Sequence, residues 1–125
     1  MDMDIPVGRA TIDRQWAELG NNVCGMLHGY RDASAIAAHF TGAGWTSRSS
    51  SWHGYELETT WCHLEIDPIE GPAVLLNGTI APTHLDDLGR LLASFGLRYE
   101  LELSDENNDL VREISPVRVD TGVPR

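Results

Sequence analysis

The chain has 125 residues, 42% of them apolar, and a formal charge of −10 from 19 acidic and nine basic side chains. That length suits one domain and that apolar content suits a buried core, which excludes a disordered chain. The charge excludes binding to nucleic acid through its phosphates, because the protein's field repels them. No apolar run approaches the ~20 residues of a membrane helix, and no basic-then-apolar leader opens the chain, so the expected compartment is the cytoplasm.

Residues 1–10 carry no clear pattern. Thr11 to Leu19 predicts a short helix with Ile12, Trp16 and Leu19 on one face and Gly20 at its end. After the turn signal Asn21-Asn22, Val23 to His28 reads as a strand weakened by Gly25. Asp32 is placed to cap a helix from Ala33 to about Thr41, with Ala33, Ile36, Ala37 and Phe40 as its apolar face and Gly42 and Gly44 as stops. Trp45 to Ser51 is a poor, serine-rich strand, and Trp52-His53-Gly54-Tyr55 reads as a tight hairpin turn.

Tyr55 to Ile66 reads as one long strand with a change of phase. Tyr55, Leu57 and Trp61 share one parity, while Cys62, Leu64 and Ile66 share the other. A side-chain period of two cannot do this without an irregularity, so a β-bulge between Thr59 and Cys62 is expected, or else cover on both faces. Asp67 to Pro72 has the composition of a linker. Ala73 to Ile80 is a strand, and Thr83 with Asp86 resembles a capping box for a helix over 83–95. Leu85, Leu88, Leu91, Leu92 and Phe95 form its stripe, and Gly96 stops it. The next strand alternates, with Leu97, Tyr99, Leu101 and Leu103 on one face and Arg98, Glu100 and Glu102 on the other. A polar turn, Ser104 to Asn108, leads to a last strand from Asp109 to Ile114, ended by Pro116; residues 115–125 read as a tail.

Shifted by the 52 positions that separate Gly44 from Gly96, the chain lays Phe40 on Leu92, Ile36 on Leu88, Trp45 on Leu97 and Val23 on Leu75. The expectation is a single α+β domain of two tandem β-α-β-β units, 22–67 and 73–114, with helices on one face of antiparallel sheet or sheets. Any two amphipathic β-α-β units align in this way, so the offset is similarity of pattern only.

Charge is the main functional signal. All nine basic residues are arginine, and none falls between Ser49 and Gly89. That window holds Glu56, Glu58, Glu65, Asp67, Glu70, Asp86 and Asp87. One reading is a surface kept soluble by its charge. The sharper reading is a recognition surface for a basic protein, with Glu56, Glu58, Glu65, Asp67 and Glu70 as its charge and Trp52 and Tyr55 as apolar anchors. In size, compartment and charge the chain resembles bacterial immunity proteins and related inhibitors. The resemblance implies a non-catalytic protein that occludes a basic toxin or a nucleic-acid-acting enzyme; a homodimer is compatible with it.

The alternative is a small metal-dependent enzyme or ligand-binding protein with a cavity between the halves. His63 and Glu65 share a face of one strand, and His28 ends another, a set that would suit zinc or iron with an open position. No His-x-x-x-His or Cys-x-x-Cys spacing is present, so no metal or cofactor is expected. Neither a nucleophile elbow nor a phosphate loop occurs. Cys24 and Cys62 are expected as buried thiols rather than a disulfide. Adjacent strand residues point to opposite faces, so Cys62 and His63 make no thiol–imidazole pair.

Overall fold

The structure, a computed structural model, describes residues 11–29, 32–50, 53–69 and 73–115. In chain order it contains α1 (Arg14–Ala17), β1 (Val23–His28), α2 (Ala33–Gly42), β2 (Thr46–Ser49), β3 (Tyr55–Thr59), β4 (Cys62–Ile69), β5 (Ala73–Ile80), α3 (Leu85–Ser94), β6 (Arg98–Ser104) and β7 (Leu110–Ile114). The strands make a single 7-stranded sheet in the order β2-β3-β4-β5-β1-β6-β7, and every neighbouring pair is antiparallel. The class is α+β.

Alternation decides the faces. Leu27, Leu57, Leu64, Ile66, Val74, Leu76, Ile80 and Leu101 point to one side of the sheet and are fully buried against Ile36 and Phe40 of α2 and Leu85, Leu88 and Leu92 of α3. Each such side chain contributes about 1.5–3 kcal/mol on leaving water. Phe40 meets Trp45 edge-on at 4.8 Å and Phe95 at 5.1 Å, and Trp45 meets Trp61 at 5.3 Å. These rings tie both helices to the β3–β4 turn. Among the described residues the other sheet face carries only the short α1 and its flanks, and Thr79 Oγ1 on that face donates to the Gly20 carbonyl at 2.9 Å.

The helices start and stop largely as their residues direct. Asp32 accepts from the Ser34 N–H at 3.0 Å. Gly44 and Gly96 have φ of 98° and 81°. Trp45 N donates to Phe40 O and Gly44 N to Thr41 O; Leu97 N donates to Leu92 O and Gly96 N to Ala93 O. The same pair of bonds thus closes both helices at the 52-residue offset. The start of α3 differs from expectation. Pro82–His84 forms a 3-10 turn, His84 takes the cap position, and Thr83 makes no cap bond there.

The long strand expected over 55–66 is two strands. Thr59 pairs with Cys62 across a two-residue turn, Thr60-Trp61, and that turn produces the change of phase assigned to a bulge. The tight hairpin turn expected over Trp52 to Tyr55 lies partly outside the described residues; Ser49 pairs with Tyr55, and the connection between β2 and β3 runs from 50 to 54. The linker is shorter than its composition suggests. Asp67, Pro68 and Ile69 continue β4 and pair with Leu75, Val74 and Ala73. Pro68 is tolerated because β4 has by then outrun β3, whose last partner is Ile66. The helix expected over 11–19 shrinks to a single turn, and Leu19 is exposed.

The order strand–helix–strand–strand occurs twice, yet the two successions lie differently in the sheet. From β5, α3 crosses one strand to reach β6, whereas α2 crosses three to carry β1 to β2 at the far edge. Units 22–67 and 73–114 are therefore not equivalent in position. The strand part of the 52-residue shift also changes face. Val23 is buried under the helices, while Leu75 pairs with Met26 and Asp67 on the opposite side.

Candidate functional site

The sheet face opposite α2 and α3 gathers the charged strand residues. Register links Arg48, Glu56, Glu65, Asn77, Cys24, Glu102 and Glu113 in one row that crosses every strand. A parallel row reads Asp67, Leu75, Met26 and Glu100, and another reads Ile69, Ala73, His28 and Arg98. The centre of this face is neutral, with Leu75, Met26 and Ala73 half-buried. Acidic residues flank it on both sides: Glu56, Glu65 and Asp67 towards β3, and Glu100, Glu102 and Glu113 towards β7. Glu102 faces Glu113 directly, and a concavity of about 280 Å3 lies among Glu100, Glu102 and Glu113.

The residues expected at a binding surface separate. Glu56, Glu58, Glu65 and Asp67 do share this face. Tyr55 pairs with Ile66 and packs against the core on the helix side, away from them. Trp52 and Glu70 lie outside the described residues. Glu56 is not a bare charge. Arg48, one residue before the window that lacks arginine, reaches it, and His63 Nε2 lies 3.2 Å from the same oxygen. The His63 hydrogen bond, with Arg48 beside it, holds the Glu56 carboxyl below its ordinary value. Glu58 accepts from the Ile12 N–H at 2.7 Å and so anchors the segment before α1. Glu65 is the exposed member, with no bond to any described residue.

Glu100, Glu102 and Glu113 escaped the reading of the sequence as site residues. Their alternation was visible, but nothing local says that β1 sits between β5 and β6 and so brings both acidic flanks onto one face. Cys24 is exposed here rather than buried. Partial burial and then the nearby Glu102 carboxylate raise its thiol pKa, so it stays protonated and weakly nucleophilic. Cys62 is buried as expected, and burial pushes its thiol well up.

The three-ligand set does not converge. The row through His28 meets β4 at Ile69, about 20 Å of strand away from His63. Among the described residues, no three His, Cys, Asp or Glu side chains stand where they could hold a metal ion. Two other histidines serve the helix side: His84 stacks on Trp61 at 4.7 Å and binds Asp87 at 2.8 Å, and His39 stacks on Phe95 at 5.0 Å. Among the described residues no helix is long and apolar enough to cross a membrane. Compared with known protein families, curated proteins and solved structures, the chain matches none.

Proposed function

We propose that this is a small acidic, non-catalytic binding protein, an inhibitor of the immunity-protein type, whose sheet face opposite α2 and α3 covers a basic partner such as a toxin or a nucleic-acid-acting enzyme. The observation that supports it is the in-register row with an acidic flank at each end of a neutral centre. Glu56 stands opposite Glu65, and Glu102 opposite Glu113. Like charges directly opposite one another destabilise a sheet. Arg48 and His63 already hold Glu56, so a basic surface laid across the face relieves chiefly the Glu102–Glu113 pair and pairs the exposed Glu65, while Leu75, Met26 and Ala73 supply apolar contact between them. Six strand spacings make the face about 29 Å wide, which accommodates an ordinary interface of roughly 800 Å2 per partner. The mechanism is electrostatic steering followed by occlusion of the partner's own anion-binding cleft.

The test is capture from a lysate of the native host at about 50 mM and about 500 mM salt, where screening lengths differ severalfold. A basic protein should be retained at low salt and released at high salt, and its own activity should be inhibited in the complex. Retention that is unchanged in a Glu65→Gln/Glu102→Gln/Glu113→Gln variant would show that the acidic face only keeps the protein soluble.

A further inference from the structure

Among the described residues, the edge of the sheet at β2 is open. β2 pairs with β3 alone, and among the described residues no strand lies on its other side. Ser50 N donates to Gly54 O at 3.0 Å, which places the hydrogen-bonded pairs of the ladder at Arg48–Glu56 and Thr46–Glu58. The peptide groups of Ser47 and Ser49 therefore point away from the sheet, a short ladder without a partner among the described residues. A groove of about 450 Å3 runs beside this edge. Trp45 and Thr41 line one part of it, and Arg48, Glu56 and Glu58 line another. The Ile12 N–H uses only one of the two Glu58 carboxylate oxygens.

We infer that the open edge of β2 takes an extended, arginine-bearing segment of a partner protein as an added strand, with an arginine side chain entering the groove between Trp45 and Glu58. This rests on the reading of the protein as a binder of basic partners and specifies how the partner is held. Strand addition draws affinity from main-chain bonds and selectivity from pockets beside the edge. Here the outward peptide groups of Ser47 and Ser49 supply the first. The groove supplies the second: the exposed rim of the otherwise buried Trp45 borders the aliphatic stem of arginine, and Glu58 offers a carboxylate for its charge. A second copy of this chain fits the edge poorly, because each copy carries −10 and self-pairing sets those fields against each other.

The probe is a capped heptapeptide alternating valine and arginine, added to the full chain and followed by amide hydrogen exchange and by titration. Exchange at Ser47 and Ser49 should slow at least tenfold at saturation. Ser47→Pro removes an outward donor without touching the β3 ladder, and should weaken binding at least tenfold while thermal unfolding stays near that of the parent. Glu58→Gln should weaken the arginine peptide but not a matched peptide with norleucine in its place. A peptide N-methylated along the pairing edge needs no protein variant and should fail to bind. The inference is overturned if nothing binds up to about 5 mM, if the N-methylated peptide binds equally well, or if Ser47 and Ser49 exchange is unchanged. Protection of Ser47 that rises with protein concentration alone would give the edge to a second copy instead. If a captured basic partner is lost on neutralising Glu65, Glu102 and Glu113 but not with Ser47→Pro, strand addition fails and the acidic-face reading stands.

Discussion

Gly25 and Gly78 occupy matching places in the two central strands. A β-carbon on Gly25 would meet the Glu100 carbonyl oxygen at 2.1 Å, and one on Gly78 would meet the His63 carbonyl oxygen at 2.0 Å. β6 thus leans on β1 as β4 leans on β5, so β4 and β6 are counterparts across the β1–β5 pair. The sheet's approximate symmetry runs through this pair, matches β3 with β7 and leaves β2 as an extension on one side.

Gly25→Ala and Gly78→Ala should each destabilise the fold by more than about 3 kcal/mol, because a neighbouring backbone must move to admit the methyl. Gly42 sits at the end of α2 with nothing within 4 Å of the position of a β-carbon. Gly42→Ala should change stability by less than about 1 kcal/mol. Urea unfolding of the three variants checks this. A mild effect at both strand glycines would mean that the central strands are not packed as described.

Glu113→Arg places a cation opposite Glu102. It should stabilise the sheet by about 0.2–1 kcal/mol, and the gain should shrink as salt is raised. Thermal melts at low and high salt decide the point; a gain that ignores salt would trace to packing rather than charge.

Kinetics with a basic partner should respond most to the carboxylates that have no structural duty. Glu56 is tied to Arg48 and His63, and Glu58 to Ile12, so their replacement also disturbs the fold. The Glu65→Gln/Glu102→Gln/Glu113→Gln variant should associate at least tenfold more slowly at low salt with a smaller change in dissociation. Stopped-flow or surface-binding traces would show the reverse pattern if these groups made short-range contacts only.

Acid should weaken the fold through four carboxylates held below their ordinary values: Asp32 by the Ser34 N–H, Glu56 by His63 and then Arg48, Asp86 by Arg112, and Asp87 by His84 and then Arg90. A depressed folded-state pKa stabilises the protein above the unfolded-state value, near 4 for these groups. That contribution is lost as pH falls through the folded-state value. The urea midpoint should therefore drop from about pH 4 downward, and less steeply in Glu56→Gln and Asp86→Asn. Parallel curves for parent and variants would assign acid lability to other groups.

Much of the helical structure was legible in the chain. Asp32, the stripe through Phe40 and the pair Gly44 and Gly96 act locally, so short-range chemistry sufficed to place α2 and the end of α3. The alternation from Leu97 to Leu103 marked both faces of β6 for the same reason. The β3–β4 turn was not legible, because Thr60 and Trp61 are strand-favouring residues; Trp61 is there as a core ring, and packing overrides turn preference. The acidic face was half legible. Glu56 to Asp67 are close in sequence, whereas Glu100 and Glu102 join them only because β1 lies between β5 and β6.

That central place of β1 also sets the order in which the molecule can be built. Val23 pairs with Gly78 on one side and Leu103 on the other. On a ribosome, β1 emerges early and then waits with both edges bare until β5 is made, and with one edge bare until β6 follows. Such distant pairing makes folding slower than in a helical protein of this size, since the loops must close before the contacts reward them. A cut between Ile69 and Ala73 would leave β1 in one fragment and both its neighbours in the other. Neither piece could assemble the middle of the sheet alone, and mixing them should restore it, each fragment acting as the template on which the other folds.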